Sequence, residues 1–145
     1  MTRKLLLRLP DGSSPVLDQV AAENEVQLQD EMKQHPDLLP LEDLGLLGPP
    51  VVIGRETPLE SGRIDLVLLG NGGDLALVEF KTGPQNPDFR SCLAQLLDYG
   101  SDLWGMTLED FELRVTGPFF AGKHSTVTGA TPTLEAAVAA VWGDE

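Results

Sequence analysis

The sequence predicts a single α/β domain in which helices cover a central β-sheet. Two observations lead to this prediction. Segments with helical, extended and again helical patterning follow one another in the order helix, three strands, helix between residues 22 and 103. Two of the strands, within residues 62–81, are apolar on both faces, which is typical of strands buried beneath helices.

Short extended segments precede these two strands. Residues 4–9 predict a strand that ends at a Pro-Asp-Gly turn, and residues 16–17 predict a weak return strand. Residues 51–57 predict the first of the three central strands, which leads through a Pro-Leu-Glu-Ser-Gly turn into the second.

The first helix is predicted over residues 22–34. Glu25, Leu28 and Met32 fall on one helical face. The helix should end near His35, because a residue that precedes proline avoids the α conformation. Glu25 therefore shares a face with apolar side chains, either as a partly exposed acid favoured by the helix dipole or as a functional carboxylate.

Three later segments also have helical spacing. Residues 89–103 carry an apolar stripe, beside which Gln95 and Tyr99 lie four positions apart and so neighbour each other. Residues 107–115 begin with a threonine cap, although the alternation of their last five residues also permits a strand. Residues 133–142 predict a last amphipathic helix.

The two apolar strands carry three charges where buried strands should have none. A three-residue turn at residues 71–73 places Leu69 across from Leu75. The same antiparallel register then places Asp65 across from Glu79 on one face of the sheet, with Cβ atoms roughly 5 Å apart. Lys81 shares that face, because side chains alternate along a strand with a period of two.

The charged cluster permits two interpretations. The same register places Arg63 across from Lys81, so these cations can neutralise Asp65 and Glu79 in a buried ion-pair network. Alternatively, the two carboxylates form a divalent metal site with a lysine beside it, because burying like charges together requires a compensating cation.

Composition limits the partners. The net charge is −13, and residues 18–60 contain ten acidic residues against Lys33 and Arg55 alone. Nucleic-acid binders usually present a basic surface to phosphate, so a nucleic-acid partner would have to be held by a local basic patch or by another domain or chain. Cys92 is the only cysteine, and no apolar run is long enough to span a membrane, so we expect a cytoplasmic protein without membrane contact.

The motifs together resemble the restriction-endonuclease-like, or PD-(D/E)XK, nuclease superfamily, including helix patterns of several bacterial branches. The resemblance runs from about residue 23 to residue 120 and covers most of the chain. It implies a central mixed β-sheet flanked by helices in an αβββα order. The residues that carry it are Glu25-Val-Gln-Leu-Gln, Pro36-Asp-Leu-Leu, Arg63-Ile-Asp65, Glu79-Phe-Lys81, Gln95-Leu-Leu-Asp-Tyr99-Gly and Leu103-Trp-Gly-Met.

By this resemblance the chain would hydrolyse phosphodiester bonds, with DNA as the expected substrate. Asp65 and Glu79 would bind Mg²⁺ or Mn²⁺, which prefer hard oxygen ligands, and Glu25 would add a third carboxylate. Lys81 would orient or help deprotonate the attacking water and would stabilise charge near the scissile phosphate. Gln95 would hold the water, the lysine or the phosphate.

The chain also departs from the superfamily pattern. A further strand usually follows the glutamine-bearing helix, and Phe111–Val115 is the candidate for it. If it is not that strand, the sequence is the N-terminal part of a longer protein. The acidity of the chain is a second departure, and it implies that substrate binding relies on an additional domain or on a homo-oligomer. The alternative function is a catalytically inactive nuclease-fold domain that acts as a protein-interaction or assembly module.

Overall fold

The computed structural model describes residues 4–6, 8–18, 24–46, 48–81, 89–122 and 133–143. The strands are β1 (Lys4–Leu6), β2 (Val16–Asp18), β3 (Val51–Pro58), β4 (Arg63–Leu69) and β5 (Leu75–Val78). The helices are α1 (Glu25–Gln34), α2 (Phe89–Leu103), α3 (Leu108–Phe111), α4 (Gly117–Ala121) and α5 (Leu134–Trp142). Short 3₁₀ turns at Pro36–Leu38 and Glu42–Leu44 follow α1, and a π-helical turn at Glu112–Thr116 joins α3 to α4.

The predicted α/β class and the order helix, three strands, helix are confirmed by α1, β3, β4, β5 and α2. The expected mixed sheet is wrong for the described residues, where β3, β4 and β5 form one antiparallel sheet in that order. Strands joined by short turns can only pair antiparallel, since a parallel pair needs a long crossover connection. The initial hairpin of β1 and β2 forms a separate two-stranded sheet.

The strand considered at Phe111–Val115 is also wrong, because the chain is helical there. The Thr107 side chain caps α3 by accepting a hydrogen bond from the Asp110 backbone N–H at 3.1 Å, and its hydroxyl donates to the Asp110 carboxylate at 2.8 Å. These bonds satisfy the first turn of a helix, so the cap and not the apolar alternation decides the local structure.

The central strand β4 forms the centre of the core. Ile64, Leu66, Val67 and Leu68 are fully buried, so β4 is covered on both faces as the sequence predicts. Helix α1 packs on β4 and α2 packs on β5, while the π-helical turn, α4 and α5 pack on β3. Burial of each large apolar side chain contributes roughly 1.5–3 kcal/mol, which gives the site at the end of this sheet a rigid base.

Helix α1 begins where its cap is made. The Asn24 side chain accepts a hydrogen bond from the backbone N–H of Gln27 at 2.9 Å, and this bond fixes the first turn. The predicted start at residue 22 and the loop predicted over residues 82–87 lie outside the described residues. None of the described helices is long and apolar enough to cross a membrane.

Candidate active site

The register of the β4–β5 hairpin brings the predicted charges to one end of the sheet. Leu69 pairs with Leu75, as predicted, and the ladder runs to the pair of Leu66 with Val78. Strand β5 ends there, so Glu79 lies just beyond the last pair. The expected juxtaposition of Asp65 and Glu79 therefore arises at the open end of the hairpin and not within its ladder.

Both oxygens of Asp65 accept hydrogen bonds. The Gln29 side-chain Nε2 donates to Oδ1 at 2.7 Å, and the backbone N–H of Phe80 donates to Oδ2 at 2.7 Å. The bond from Phe80 continues the contact between the two strands beyond their last backbone pair. In a longer ladder a backbone carbonyl of β4 would accept this hydrogen bond, and here the Asp65 side chain accepts it. The Asp65 carboxylate is thus held in one orientation from the helix side and from the sheet side.

Gln29 is a site residue to which the sequence motifs assigned no role, although it ends the Glu25-Val-Gln-Leu-Gln run. Its side chain is only 4% exposed, and it lies one helical turn after Glu25. The available signal was this spacing of four residues, since a glutamine on the face that carries Glu25 points to the same end of the sheet. A buried polar side chain needs a partner, and Asp65 is that partner.

The environment of Asp65 raises the pKa of its carboxyl to about 6. Burial is the main cause, and the negative charges of Glu79 and Glu56 add to it. The hydrogen bond from Phe80 and the positive charge of Lys81 act in the opposite direction without cancelling the effect. A cation placed between these carboxylates would relieve the repulsion.

Glu79 and Lys81 form an ion pair, with 2.5 Å between Oε1 and Nζ. The Glu79 side chain is only 5% exposed, and its second oxygen, Oε2, is buried without a hydrogen-bond partner among the described residues. An unsatisfied buried carboxylate oxygen is costly, so Oε2 is suited to contact a cation or a water molecule.

The ammonium group of Lys81 stays charged. Burial lowers the pKa of Lys81, but its hydrogen bond to Glu79 and the charges of Glu79, Glu25 and Asp65 outweigh that effect and raise the pKa above its ordinary value. Glu25 is therefore close enough to act on the site electrostatically, as its place on the inward face of α1 predicts. Its side chain is half-buried.

Helix α2 lies beside the cluster through Tyr99. The buried Tyr99 hydroxyl donates to the Arg63 carbonyl oxygen at 3.1 Å, and burial followed by the charge of Glu79 raises the pKa of the phenol. Gln95, one turn earlier, is half-buried. Within the described part of the chain, Gln95 makes no hydrogen bond to Asp65 or to the Glu79–Lys81 pair.

Arg63 does not join the cluster as the ion-pair interpretation expected. Its side chain is exposed and turns toward Glu56, with 3.8 Å between Nε and Oε2 and a hydrogen bond of 3.2 Å to the Glu56 carbonyl. Among the described residues Asp65 pairs with neither Arg63 nor Lys81. One half of the predicted ion-pair network, Lys81 with Glu79, is present.

Glu56 is a second residue that the sequence did not single out. It lies on β3 between the pairs Arg55–Leu66 and Thr57–Ile64, which places it beside Asp65, and its φ of +47° is left-handed. This conformation is uncommon for a residue with a side chain and costs on the order of 1 kcal/mol. The register of β3 on β4 therefore brings the charge of Glu56 to Asp65.

The donor set fits a divalent cation that keeps most of its water. Asp65 and Glu79 offer carboxylate oxygens, one of them unpartnered, and Mg²⁺ commonly binds proteins through one or two carboxylates. In the described ranges no three Asp, Glu, His or Cys side chains converge in a metal-holding group, so Glu25 does not complete a three-carboxylate shell in this conformation.

Gln29→Leu is expected to raise the pKa of Asp65 further in the metal-free protein. The substitution removes a hydrogen-bond donor to the ionised carboxylate, and such a donor favours the charged form. A ¹³C NMR titration of the Asp65 carboxyl carbon measures the change directly. Gln34→Leu, at the exposed end of the same helix, is the matched control and should leave the titration unchanged. An unchanged Asp65 titration in Gln29→Leu would contradict the assigned role.

Comparisons of the chain with models of known protein families, with curated proteins and with solved structures give no match. The geometry of the hairpin end is therefore the basis for a functional assignment.

Proposed function

We propose that the chain is a metal-dependent phosphodiesterase that acts on nucleic acid, with DNA as the expected substrate, and that its fold is a restriction-endonuclease-like core. One observation carries the proposal: Asp65, Glu79 and Lys81 meet at the end of the β4–β5 hairpin, where Glu79 keeps a buried, unpartnered oxygen. Two carboxylates with a lysine beside them suit hydrolysis of a phosphodiester.

Asp65 and Glu79 would hold Mg²⁺ or Mn²⁺ between them. When bound, the metal supplies a Lewis acid and lowers the pKa of a coordinated water. The chain contributes the orientation of that site, because Gln29 and the Phe80 N–H fix the Asp65 carboxylate. Glu25 contributes negative charge from the helix side.

Lys81 is better suited to stabilise charge than to remove a proton. Its neighbours raise its pKa, so it is an ammonium group at neutral pH and cannot accept a proton. An ammonium placed beside the scissile phosphate stabilises the negative charge that develops on the phosphate oxygens. Of the roles expected from the resemblance, positioning of the water and stabilisation of charge are therefore favoured over deprotonation of the water.

The test is a cleavage assay with labelled single-stranded, duplex and branched DNA and with RNA. We expect cleavage with Mn²⁺ or Mg²⁺ that EDTA stops and that Glu79→Gln reduces by at least 10²-fold, since the ligand position is lost. Glu60→Gln, an exposed acid in the β3–β4 turn, is the matched control and should cleave normally. Cleavage that survives Glu79→Gln and EDTA would exclude the proposal.

A second candidate is a non-catalytic domain of the same architecture that serves protein assembly. It is favoured by the internal Glu79–Lys81 ion pair, which neutralises Glu79 without metal, and by the net charge of −13. Calorimetry separates the two functions. Divalent binding that depends on Asp65 supports the enzyme, whereas no binding at millimolar metal supports the assembly domain.

A further inference from the structure

Helix α2 carries an apolar stripe on its solvent side. Four large side chains follow one another along the helix and the turn after it: Phe89, Leu93, Leu97 and Trp104, which are 76%, 47%, 66% and 89% exposed. The first three are spaced by four residues, and the Trp104 backbone N–H still bonds to the Gly100 carbonyl, so the helical path continues to Trp104. We call these four residues the α2 stripe. It is roughly 22 Å long at 1.5 Å per residue.

The α2 stripe borders the side of the helix that packs on the sheet. The core-facing side carries the buried Tyr99 and the partly buried Leu96 and Leu103. The apolar face of α2 is therefore wider than its contact with the described sheet requires. Single exposed apolar residues are ordinary, but several in line on one helix, including a nearly fully exposed tryptophan, are typical of an interaction surface.

Charge selects the kind of partner. The chain has 23 acidic residues against 10 basic ones, and residues 89–116 are acidic on balance, with Asp98, Asp102, Glu109, Asp110 and Glu112 against Arg90 and Arg114. A second copy would bring a net charge of −13 against another −13, which opposes self-association. A partner that presents apolar side chains between lysines and arginines would bury those apolar side chains on the stripe. Its basic side chains would be attracted by the negative charge of the chain.

We propose that the α2 stripe is the docking site for a basic amphipathic helix of another polypeptide. A helix of about 15 residues matches the length of the stripe and would place apolar residues on it in the i, i+3, i+4, i+7 pattern of helix recognition. The basic flanks would face the acidic side chains of the segment after α2. This proposal does not depend on nuclease activity.

The experiment uses a synthetic 15-residue peptide in which leucines occupy one helical face and lysines the other, with the complete chain as its partner. A glutamate-for-lysine version of the same pattern is the control peptide. We expect the lysine peptide to bind by calorimetry and to shift the tryptophan emission to shorter wavelength, because it covers Trp104. Trp104→Phe should retain binding and lose the shift, which assigns the signal to the stripe.

Two variants of the chain test whether the lysine peptide binds at the α2 stripe. Leu97→Asp should weaken binding of the lysine peptide at least tenfold, although it adds a negative charge that alone would strengthen the attraction. Leu44→Asp is the matched control, since Leu44 is equally exposed at 71% but belongs to the 3₁₀ turn at Glu42–Leu44, outside α2. Its affinity should equal that of the wild-type chain.

Three results would overturn the proposal. The first is equal binding of the glutamate peptide, and the second is wild-type affinity in Leu97→Asp. The third is self-association in light scattering that Leu97→Asp abolishes, because a second copy would then occupy the stripe. Neither the expected result nor these three requires cleavage activity, so failure of the nuclease proposal leaves the test intact.

Discussion

Asp65→Asn is expected to stabilise the metal-free protein at pH 7 and to abolish divalent-dependent cleavage. The wild-type carboxylate is partly buried and lies near Glu79 and Glu56, and burial followed by these negative charges raises its pKa to about 6. Removing the charge removes both the cost of burying it and the repulsion. The gain should be about 1 kcal/mol, because the carboxylate is only partly buried and solvent screens its interactions.

The hydrogen bonds around residue 65 should survive this substitution. An asparagine oxygen can accept from the Phe80 N–H as Asp65 does. The asparagine amide would then point at Gln29, whose own amide can rotate by 180° so that its oxygen accepts. Asp65→Asn therefore removes the charge and keeps the hydrogen bonds, whereas Asp65→Ala would remove both.

The direction of the pH dependence follows from the raised pKa. Between the unfolded value near 4 and the folded value of about 6, the folded state holds more protons than the unfolded state. The contribution of Asp65 to the free energy of unfolding therefore falls as pH rises through this window and stays constant above it. Asp65→Asn should show little advantage at pH 4 and its full advantage above pH 6.

Urea unfolding in EDTA at pH 4, 5, 6, 7 and 8 measures this difference. Asp98→Asn, at an exposed acid on α2, is the control because it removes the same net charge from a position open to solvent. A stability difference for Asp65→Asn that is equal at pH 4 and pH 8 would contradict the assigned environment. Added Mn²⁺ should stabilise the wild-type chain and the Asp98→Asn variant but not Asp65→Asn.

Sequence patterns predicted the parts of the site that local rules determine. The glycine-rich turn and the apolar runs fixed the hairpin register, which the pair of Leu69 with Leu75 confirms. That register brought Asp65 and Glu79 to one end, and helical spacing placed Glu25 on the inward face of α1. Each of these inferences depends only on residues close in sequence or paired through one short turn.

The other contacts of the site depend on how distant segments pack together, and no local sequence pattern predicts that packing. The contact of Gln29 with Asp65 requires the position of α1 on β4, which is set by packing. Glu56 acts on Asp65 from a strand whose backbone turns left-handed at that residue, and nothing in its neighbours indicates this conformation. In the ion-pair interpretation Arg63 would neutralise the cluster, but its side chain pairs with Glu56 instead.

Lys81→Met is expected to reduce cleavage by about 10²- to 10³-fold, the range observed when one preorganised charge-stabilising donor is removed. It should also destabilise the metal-free protein by roughly 2 kcal/mol, because it leaves the nearly buried Glu79 carboxylate without its only described ion-pair partner. Lys81→Arg is the control, since it keeps the positive charge beside Glu79. The measurements are single-turnover cleavage and urea unfolding of the same preparations.

The response of Lys81→Met to Mn²⁺ separates a catalytic lysine from a structural one. A divalent cation at Glu79 would replace the lost ammonium, so Mn²⁺ should stabilise Lys81→Met more than it stabilises the wild-type chain. If Lys81 stabilises charge on the phosphate, stability returns with Mn²⁺ and cleavage does not. If Lys81 only neutralises Glu79, Mn²⁺ should restore stability and cleavage together. The lysine would then have the structural role that the ion-pair interpretation of the sequence gives it.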